Sequence, residues 1–106
     1  MRLPTNRPPT HPGEMLAEEF LAPHGLTQVE LAQRLGVPFQ RVNQIVNGRR
    51  GITPDTALRL ARFFGTTPDL WLNLQRAWDL YAALRAPGAA AIEKIRPLGA
   101  EPAPAR

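Results

Sequence analysis

Cysteine and serine are both missing from this 106-residue chain. The absence of cysteine excludes disulfide bonds and thiolate metal sites, and it is compatible with a reducing compartment. The absence of serine excludes a serine nucleophile. No apolar run reaches the roughly 20 residues that a membrane-spanning helix needs, and the N-terminal sequence MRLPTNRPPTHPG is too rich in proline and polar residues for a signal peptide. These absences predict a cytoplasmic protein without a membrane segment.

Lysine is almost absent as well, since Lys94 is the only one among the 13 basic residues. Arginine suits bidentate contacts with phosphate and guanine better than lysine does, although the base composition of a genome also produces an arginine bias. Residues 27–62 contain six arginines against two acids, which accounts for the whole net charge of +4. A positive charge confined to one segment is typical of a nucleic-acid-binding face.

Catalytic motifs are also missing. Only two histidines occur, His11 and His24, and neither stands in a zinc-protease motif or a Cys/His cluster. Glu18 and Glu19 are adjacent, so on a helix their side chains point about 100° apart and cannot form a paired carboxylate site. A loop position explains His24, and a solvated face explains the two glutamates. We therefore expect no enzyme activity, no metal site and no cofactor.

Helix start and stop signals divide residues 12–85 into five predicted helices. Proline near the start and glycine just after the end mark most of the boundaries. The predicted helices span residues 12–22, 27–35, 38–47, 54–64 and 68–85. No strand is predicted, so the expected fold class is all-α. Residues 1–11 are predicted to be an extended arm, and residues 86–106 an Ala/Pro-rich, partly disordered tail with a short helix near 89–96.

The second and third predicted helices are joined by a very short turn. Thr27 and Glu30 form a capping box, in which the hydroxyl and the carboxylate each accept a hydrogen bond from the other residue's backbone N–H. Gly36 ends the second helix in a left-handed conformation, and Pro38 starts the third two residues later. So short a turn forces the two helices to cross steeply, which is helix-turn-helix geometry.

The third predicted helix has an amide-rich face. At about 100° per residue, three aliphatic residues cluster on one side: Val42, Ile45 and Val46. The amides fall nearly opposite: Gln40, Asn43, Gln44 and Asn47. Glutamine, asparagine and arginine match the donor and acceptor edges of adenine and guanine in the major groove, where a helix fits. An ordinary solvated face is the alternative, and the adjacent basic loop and the short turn argue against it.

These patterns predict that the third helix reads the major groove of DNA. The predicted base-reading residues are Gln28, Phe39, Gln40, Arg41 and Gln44. Phe39 would pack on a thymine methyl group, Arg41 would take either guanine or a phosphate, and Gln28 stands at a helix N-terminus, where a phosphate is favoured. The predicted phosphate-contacting residues are Thr27, Asn43, Asn47, Arg49 and Arg50.

The fifth predicted helix is apolar on more than one side. One stripe consists of Leu70, Trp71, Leu74, Ala77, Trp78 and Tyr81, and a second of Leu72, Leu80 and Ala83. So wide an apolar arc in a small chain suggests a core on one side and a second subunit on the other. The predicted dimerisation residues are Leu72, Trp78, Leu80 and Tyr81. Stacking of the two tryptophans on bases is the weaker alternative to packing.

Four motifs in combination resemble the HigA/VapI branch of the Cro/C1-type (XRE-like) helix-turn-helix proteins. They are HPGE before the first helix, LTQ.ELA..LGV in the second, QR.N.I.NG.R.IT around the third, and FGTTP..WLNLQ leading into the last. The resemblance covers residues 11–80, about two-thirds of the chain. It implies a five-helix, lambda repressor-like domain without enzyme activity or cofactor, which serves as the antitoxin of a type II toxin–antitoxin module.

The resemblance also implies partners. Such antitoxins dimerise, bind a palindromic double-stranded operator in their own promoter, and neutralise a toxin, usually a RelE/HigB-like ribonuclease that cuts messenger RNA. By position in the shared motif, Gln28, Phe39, Gln40 and Gln44 fall where related repressors contact base edges. Phe39 departs from the family, where amides, serine or threonine are common. A stand-alone helix-turn-helix regulator without a toxin is the alternative that the residues by themselves leave open.

Overall fold

The computed structural model describes residues 8–100, and every regular element within this range is helical. The first helix, α1, consists of three consecutive segments: Pro12–Met15, the π-helical Leu16–Leu21, and Ala22–His24. The others are α2 (Gln28–Leu35), α3 (Phe39–Val46), α4 (Pro54–Phe64), α5 (Pro68–Arg85) and α6 (Ala89–Glu93), followed by a 3₁₀ turn at Leu98–Ala100. The predicted all-α fold is confirmed. None of these helices is both long and apolar enough to cross a bilayer.

Capping interactions confirm most of the predicted helix starts. The Thr27 hydroxyl accepts a hydrogen bond from the Glu30 N–H at 3.0 Å, and the Thr27 N–H donates to the Glu30 carboxylate at 2.9 Å. Thr53 and Thr67 cap α4 and α5 in the same way, each accepting from a backbone N–H three residues on. Gly36 adopts φ 71°, so it ends α2 in the predicted left-handed conformation.

Four helix boundaries differ from the prediction by one or two residues, at the end of α1, the start of α2 and both ends of α3. Pro38 has ψ 146° and caps α3 from outside, so that helix begins one residue later than expected. The first helix was expected to end near residue 22 but continues through Pro23 to His24. Its middle segment is π-helical, and the Ala22 N–H donates to the Ala17 carbonyl five residues back. A π-turn displaces the carbonyl against which a proline ring collides in a regular helix, so α1 passes through the proline.

The predicted arm and tail lie only partly within the described range. Residues 1–7 and 101–106 are outside it, so the extended conformation expected for the start of the arm and the disorder expected at the end of the tail concern residues that are not described. The short helix expected near 89–96 is present as α6 and ends at Glu93.

The five helices α1, α2, α3, α4 and α5 share one hydrophobic core, which surrounds a fully buried tryptophan, Trp71. The rings of Phe20 and Phe64 lie 5.0 and 6.4 Å from it between centroids. The indole N–H donates to the Thr66 hydroxyl at 2.9 Å, so its polar atom is satisfied. Other buried core residues are Leu16, Leu21, Leu31, Ala32, Leu35, Val42, Ile45, Ile52, Ala57 and Leu60. Both helices of the predicted motif, α2 and α3, are therefore anchored in the core.

A glycine allows α1 to contact the end of α3. Gly13 is buried, and a Cβ atom there would overlap the Ile45 carbonyl oxygen and lie 3.0 Å from the Val46 Cα. His11 caps α1 at this point, because its Nδ1 accepts a hydrogen bond from the Gly13 N–H at 2.9 Å. The His11 ring also packs edge-on against Trp78 of α5, with 4.9 Å between centroids. The HPGE motif thereby fixes the C-terminal end of α3 against α1 and α5.

Candidate nucleic-acid interface

The polar side of α3 lies at the surface, opposite the side that packs in the core. Val42 and Ile45 are buried, whereas the amides and flanking residues are at least partly exposed. Gln40 is exposed and, within residues 8–100, its side chain has no hydrogen-bond partner. Phe39 beside it is 42% exposed. The N-terminal half of α3 therefore presents one uncommitted amide and one apolar ring.

Three amides form a hydrogen-bonded chain from α3 to α2. Asn47 Nδ2 donates to Asn43 Oδ1 at 3.2 Å, and Asn43 Nδ2 donates to Gln28 Oε1 at 3.0 Å. Gln28 is the first residue of α2, next to Thr27, whose hydroxyl is already engaged in the cap. Because these hydrogen bonds order the three amides before any ligand binds, less side-chain entropy is lost on binding.

Gln44 is held by the loop that follows α3. Arg50 Nε donates to Gln44 Oε1 at 2.9 Å, and the Arg49 N–H donates to the Gln44 backbone carbonyl at 2.8 Å. Gly48, with φ 73°, turns the chain so that the loop runs back along the helix. Both arginines are exposed, so the positive charge of the loop lies beside the amide face.

The far end of this loop is fixed by α5. The Ile52 N–H donates to Gln75 Oε1 at 2.7 Å, and Gln75 Nε2 donates to Asp79 Oδ1 at 2.9 Å. A Cβ on Gly51 would lie 3.0 Å from three atoms of the Gln75 carboxamide, so the loop backbone rests directly on this side chain. The sequence carried no signal for the contact, since Ile52 and Gln75 are 23 residues apart.

Arg41 is paired with an acid at the start of α4. Its Nη1 lies 3.3 Å from Asp55 Oδ2, and Arg59 Nε lies 2.9 Å from the same oxygen. Arg59 Nη1 also donates to the Leu35 carbonyl at the end of α2, at 2.8 Å. Exposed ion pairs of this kind contribute about 0.2–1 kcal/mol, so their main effect is to orient Arg41. Asp55 therefore lies beside the amide face, a position that no pattern in the sequence indicated.

The predicted dimerisation residues occupy different environments on α5. Leu72 packs partly on the core, and Leu80 and Tyr81 are partly exposed. Trp78 is partly buried and contacts His11 within the same chain. Leu84, one turn beyond Leu80, is 44% exposed and extends the apolar surface along the helix.

A groove with acidic edges lies at the outer side of α1. It has a volume of about 530 Å³, and Met15, Phe20 and Leu70 form its apolar floor. Its acidic residues, all exposed, are Glu14, Glu18 and Glu19. None of the three has a salt bridge within the described part of the chain. Carboxylates repel DNA phosphates, so the groove does not belong to the basic α2–α3 surface.

Comparison with known proteins agrees with this geometry. The helix-turn-helix family model matches residues 18–71. The chain is 54% identical over 76 residues to virulence-associated protein I of Dichelobacter nodosus, which covers 72% of this chain and 70% of that one. An addiction module antidote protein of the HigA family from Coxiella burnetii has a similar structure, with TM-score 0.79 and 49% identity over 86% of this chain and 99% of that one. Pseudomonas aeruginosa antitoxin HigA, solved with the higBA promoter, gives TM-score 0.80 and 42% identity over 85% and 98% of the two chains.

The fold and the matched residues define a helix-turn-helix DNA-binding protein of the Cro/C1 type, in which α2 and α3 are the two helices of the motif. Within that class, the chain belongs to the HigA family of antitoxins. The members of this family are not enzymes. The resemblance inferred from the four motifs is confirmed.

Proposed function

We propose that this protein is a cytoplasmic antitoxin that, as a homodimer, represses its own operon and neutralises a RelE/HigB-like ribonuclease. The observation that carries the proposal is the outward face of α2 and α3. Four of its amides, Gln28, Asn43, Gln44 and Asn47, are held in position by hydrogen bonds. The face lies beside a fixed arginine loop, and the surrounding segment contains all of the net positive charge. Two similar structures, of the P. aeruginosa HigA and of antitoxin GraA, were solved with a promoter and an operator.

The proposed DNA complex places the N-terminal half of α3 in the major groove. The proposed base-reading residues are Gln28, Phe39, Gln40, Arg41 and Gln44. The proposed phosphate contacts come from Thr27, Asn43, Asn47, Arg49 and Arg50. Dimerisation through the α5 surface formed by Leu72, Trp78, Leu80 and Tyr81 would present two α3 helices to successive major grooves, about 34 Å apart. Residues 12–85 would thus form one DNA-binding and dimerisation domain, and the operator would be palindromic.

The groove on α1 is the surface we propose for the toxin. An enzyme that binds RNA carries cationic surface, because it must neutralise phosphates. The apolar floor of the groove and its three exposed glutamates complement such a surface. Because the groove is distinct from the α2–α3 face, the toxin and the operator would bind at the same time.

Binding to the chain's own upstream DNA tests the operator part of the proposal. The purified protein should shift a duplex from its promoter region, protect two half-sites one helical turn apart, and lose affinity steeply as salt is raised. A scrambled duplex of equal length is the control. Equal affinity for the two duplexes at every salt concentration would contradict sequence-specific repression.

A further inference from the structure

We propose that Arg50 sets the base preference of Gln44, so that together they select guanine rather than adenine at the base pair they face. The inference rests on the proposed DNA-binding function and specifies the base edge that one part of the interface takes. It changes the role of Arg50 from a general phosphate contact to a specificity-determining residue. The observation behind it is the 2.9 Å hydrogen bond from Arg50 Nε to Gln44 Oε1.

A guanidinium group fixes which end of the carboxamide it meets. Arginine has only donors, so the atom of Gln44 within hydrogen-bond distance must be the oxygen. The bond therefore determines the orientation of the amide, which the shape of the side chain alone would leave ambiguous. Within the described residues, no group accepts a hydrogen bond from the Gln44 amide nitrogen, so its two N–H groups are available to a ligand.

The major-groove edges of the two purines differ in what they need from such a pair. Adenine presents the N7 acceptor and the N6 amino donor, so a free glutamine recognises it by donating to N7 and accepting from N6. Here the accepting oxygen already faces a cation, which disfavours the adenine amino group beside it. Guanine presents two acceptors, N7 and O6. The Gln44 amide N–H groups and the remaining guanidinium N–H groups supply only donors, and they match guanine.

The backbone on both sides of Arg50 holds the pair together. The Arg49 N–H is bonded to the Gln44 carbonyl at 2.8 Å, and the Ile52 N–H to Gln75 at 2.7 Å. The loop therefore has little freedom to carry Arg50 away from α3. An exposed bond of this kind is weak in water, but a docked duplex excludes water and strengthens it.

Selection from a randomised duplex library tests the inference. Four proteins are compared: the wild type, Arg50→Ala, Arg49→Ala as the matched neighbour, and Gln44→Ala to identify which base pair Gln44 faces. Circular dichroism and the Tm check that each variant is folded. The wild type should select guanine at the position where Gln44→Ala loses its preference. Arg50→Ala should shift that position towards adenine by roughly fivefold or more, and its salt slope should stay close to that of the wild type.

The control, Arg49→Ala, shows what the loss of a general phosphate contact looks like. Arg49→Ala should weaken all sequences alike and reduce the salt slope by about one phosphate contact. The inference is overturned if Arg50→Ala behaves in that way, or if the wild type selects adenine at the Gln44 position. A wild-type protein that selects no sequence at all would instead contradict the proposed function.

Discussion

Replacing Gly13 by alanine should destabilise the protein, although the same change usually favours a helix. Alanine in place of glycine within a helix gains roughly 0.5–1 kcal/mol. Here the new Cβ would overlap the Ile45 carbonyl oxygen and lie 3.0 Å from the Val46 Cα. Both obstacles are backbone atoms, so no flexible side chain can move aside. Over-packing of this kind costs about 1–3 kcal/mol and occasionally more, and α1 must shift away from α3.

Thermal unfolding of the pure protein measures the effect. A loss of 1 kcal/mol lowers the Tm of a domain of this size by roughly 4–8 °C. Gly88→Ala is the matched control, because Gly88 has φ −76° and a Cβ added there would meet no heavy atom within 4 Å. Its Tm should stay close to that of the wild type. An unchanged or raised Tm for Gly13→Ala would show that the contact between α1 and α3 does not require glycine.

Contacts of His11, Gln75 and the α1 groove can each be tested by substitution. Burial lowers the pKa of His11 more than Asp79 and Glu14 raise it. Between the unfolded pKa of 6.5 and the lower folded pKa, the unfolded chain therefore binds a proton that the folded chain does not bind. The free energy of unfolding should therefore fall as pH decreases below 6.5. In denaturant titrations, His11→Asn, which keeps a capping oxygen, should show a weaker pH dependence of this free energy than the wild type. Equal pH dependence in the two proteins would contradict this. Gln75→Ala removes the acceptor for the Ile52 N–H, so the basic loop should lose its anchor and the protein should bind all duplexes more weakly. Gln33→Ala, on the exposed side of α2, is the control and should leave the affinity unchanged. An unchanged affinity for Gln75→Ala would show that the anchor is dispensable. The double substitution Glu18→Lys and Glu19→Lys should abolish binding of the toxin without weakening DNA binding, and Glu93→Lys on α6 is the control. Full retention of the toxin by the double variant in a pull-down would rule out the α1 groove as the toxin-binding surface.

Local signals in the sequence predicted most of the fold. Threonine caps, prolines near helix starts and left-handed glycines act within four or five residues, so the starts of α2, α4 and α5 could be predicted. The periodic pattern of α3 likewise separated its core side from its polar side, because both depend on helix geometry alone. The π-helical segment of α1 was missed, since Pro23 in a pattern ordinarily marks a helix end.

The missed parts of the interface are contacts between distant segments. Arg41 meets Asp55 across 14 residues and Ile52 meets Gln75 across 23, and no periodicity indicates which polar groups will pair. The double apolar stripe of α5 could not be divided between core and partner for the same reason. Only the packed chain shows that Trp78 contacts His11.

Co-expression with the neighbouring reading frame tests whether this chain acts as an antitoxin. Any small basic protein encoded beside it is expressed alone and then together with this chain, while growth is followed and complexes are purified. We expect the neighbour alone to arrest growth, and co-expression to restore growth through a stable complex of the two proteins. A harmless neighbour, or arrest that this chain does not relieve, would contradict the antitoxin function and leave a helix-turn-helix regulator that acts without a toxin.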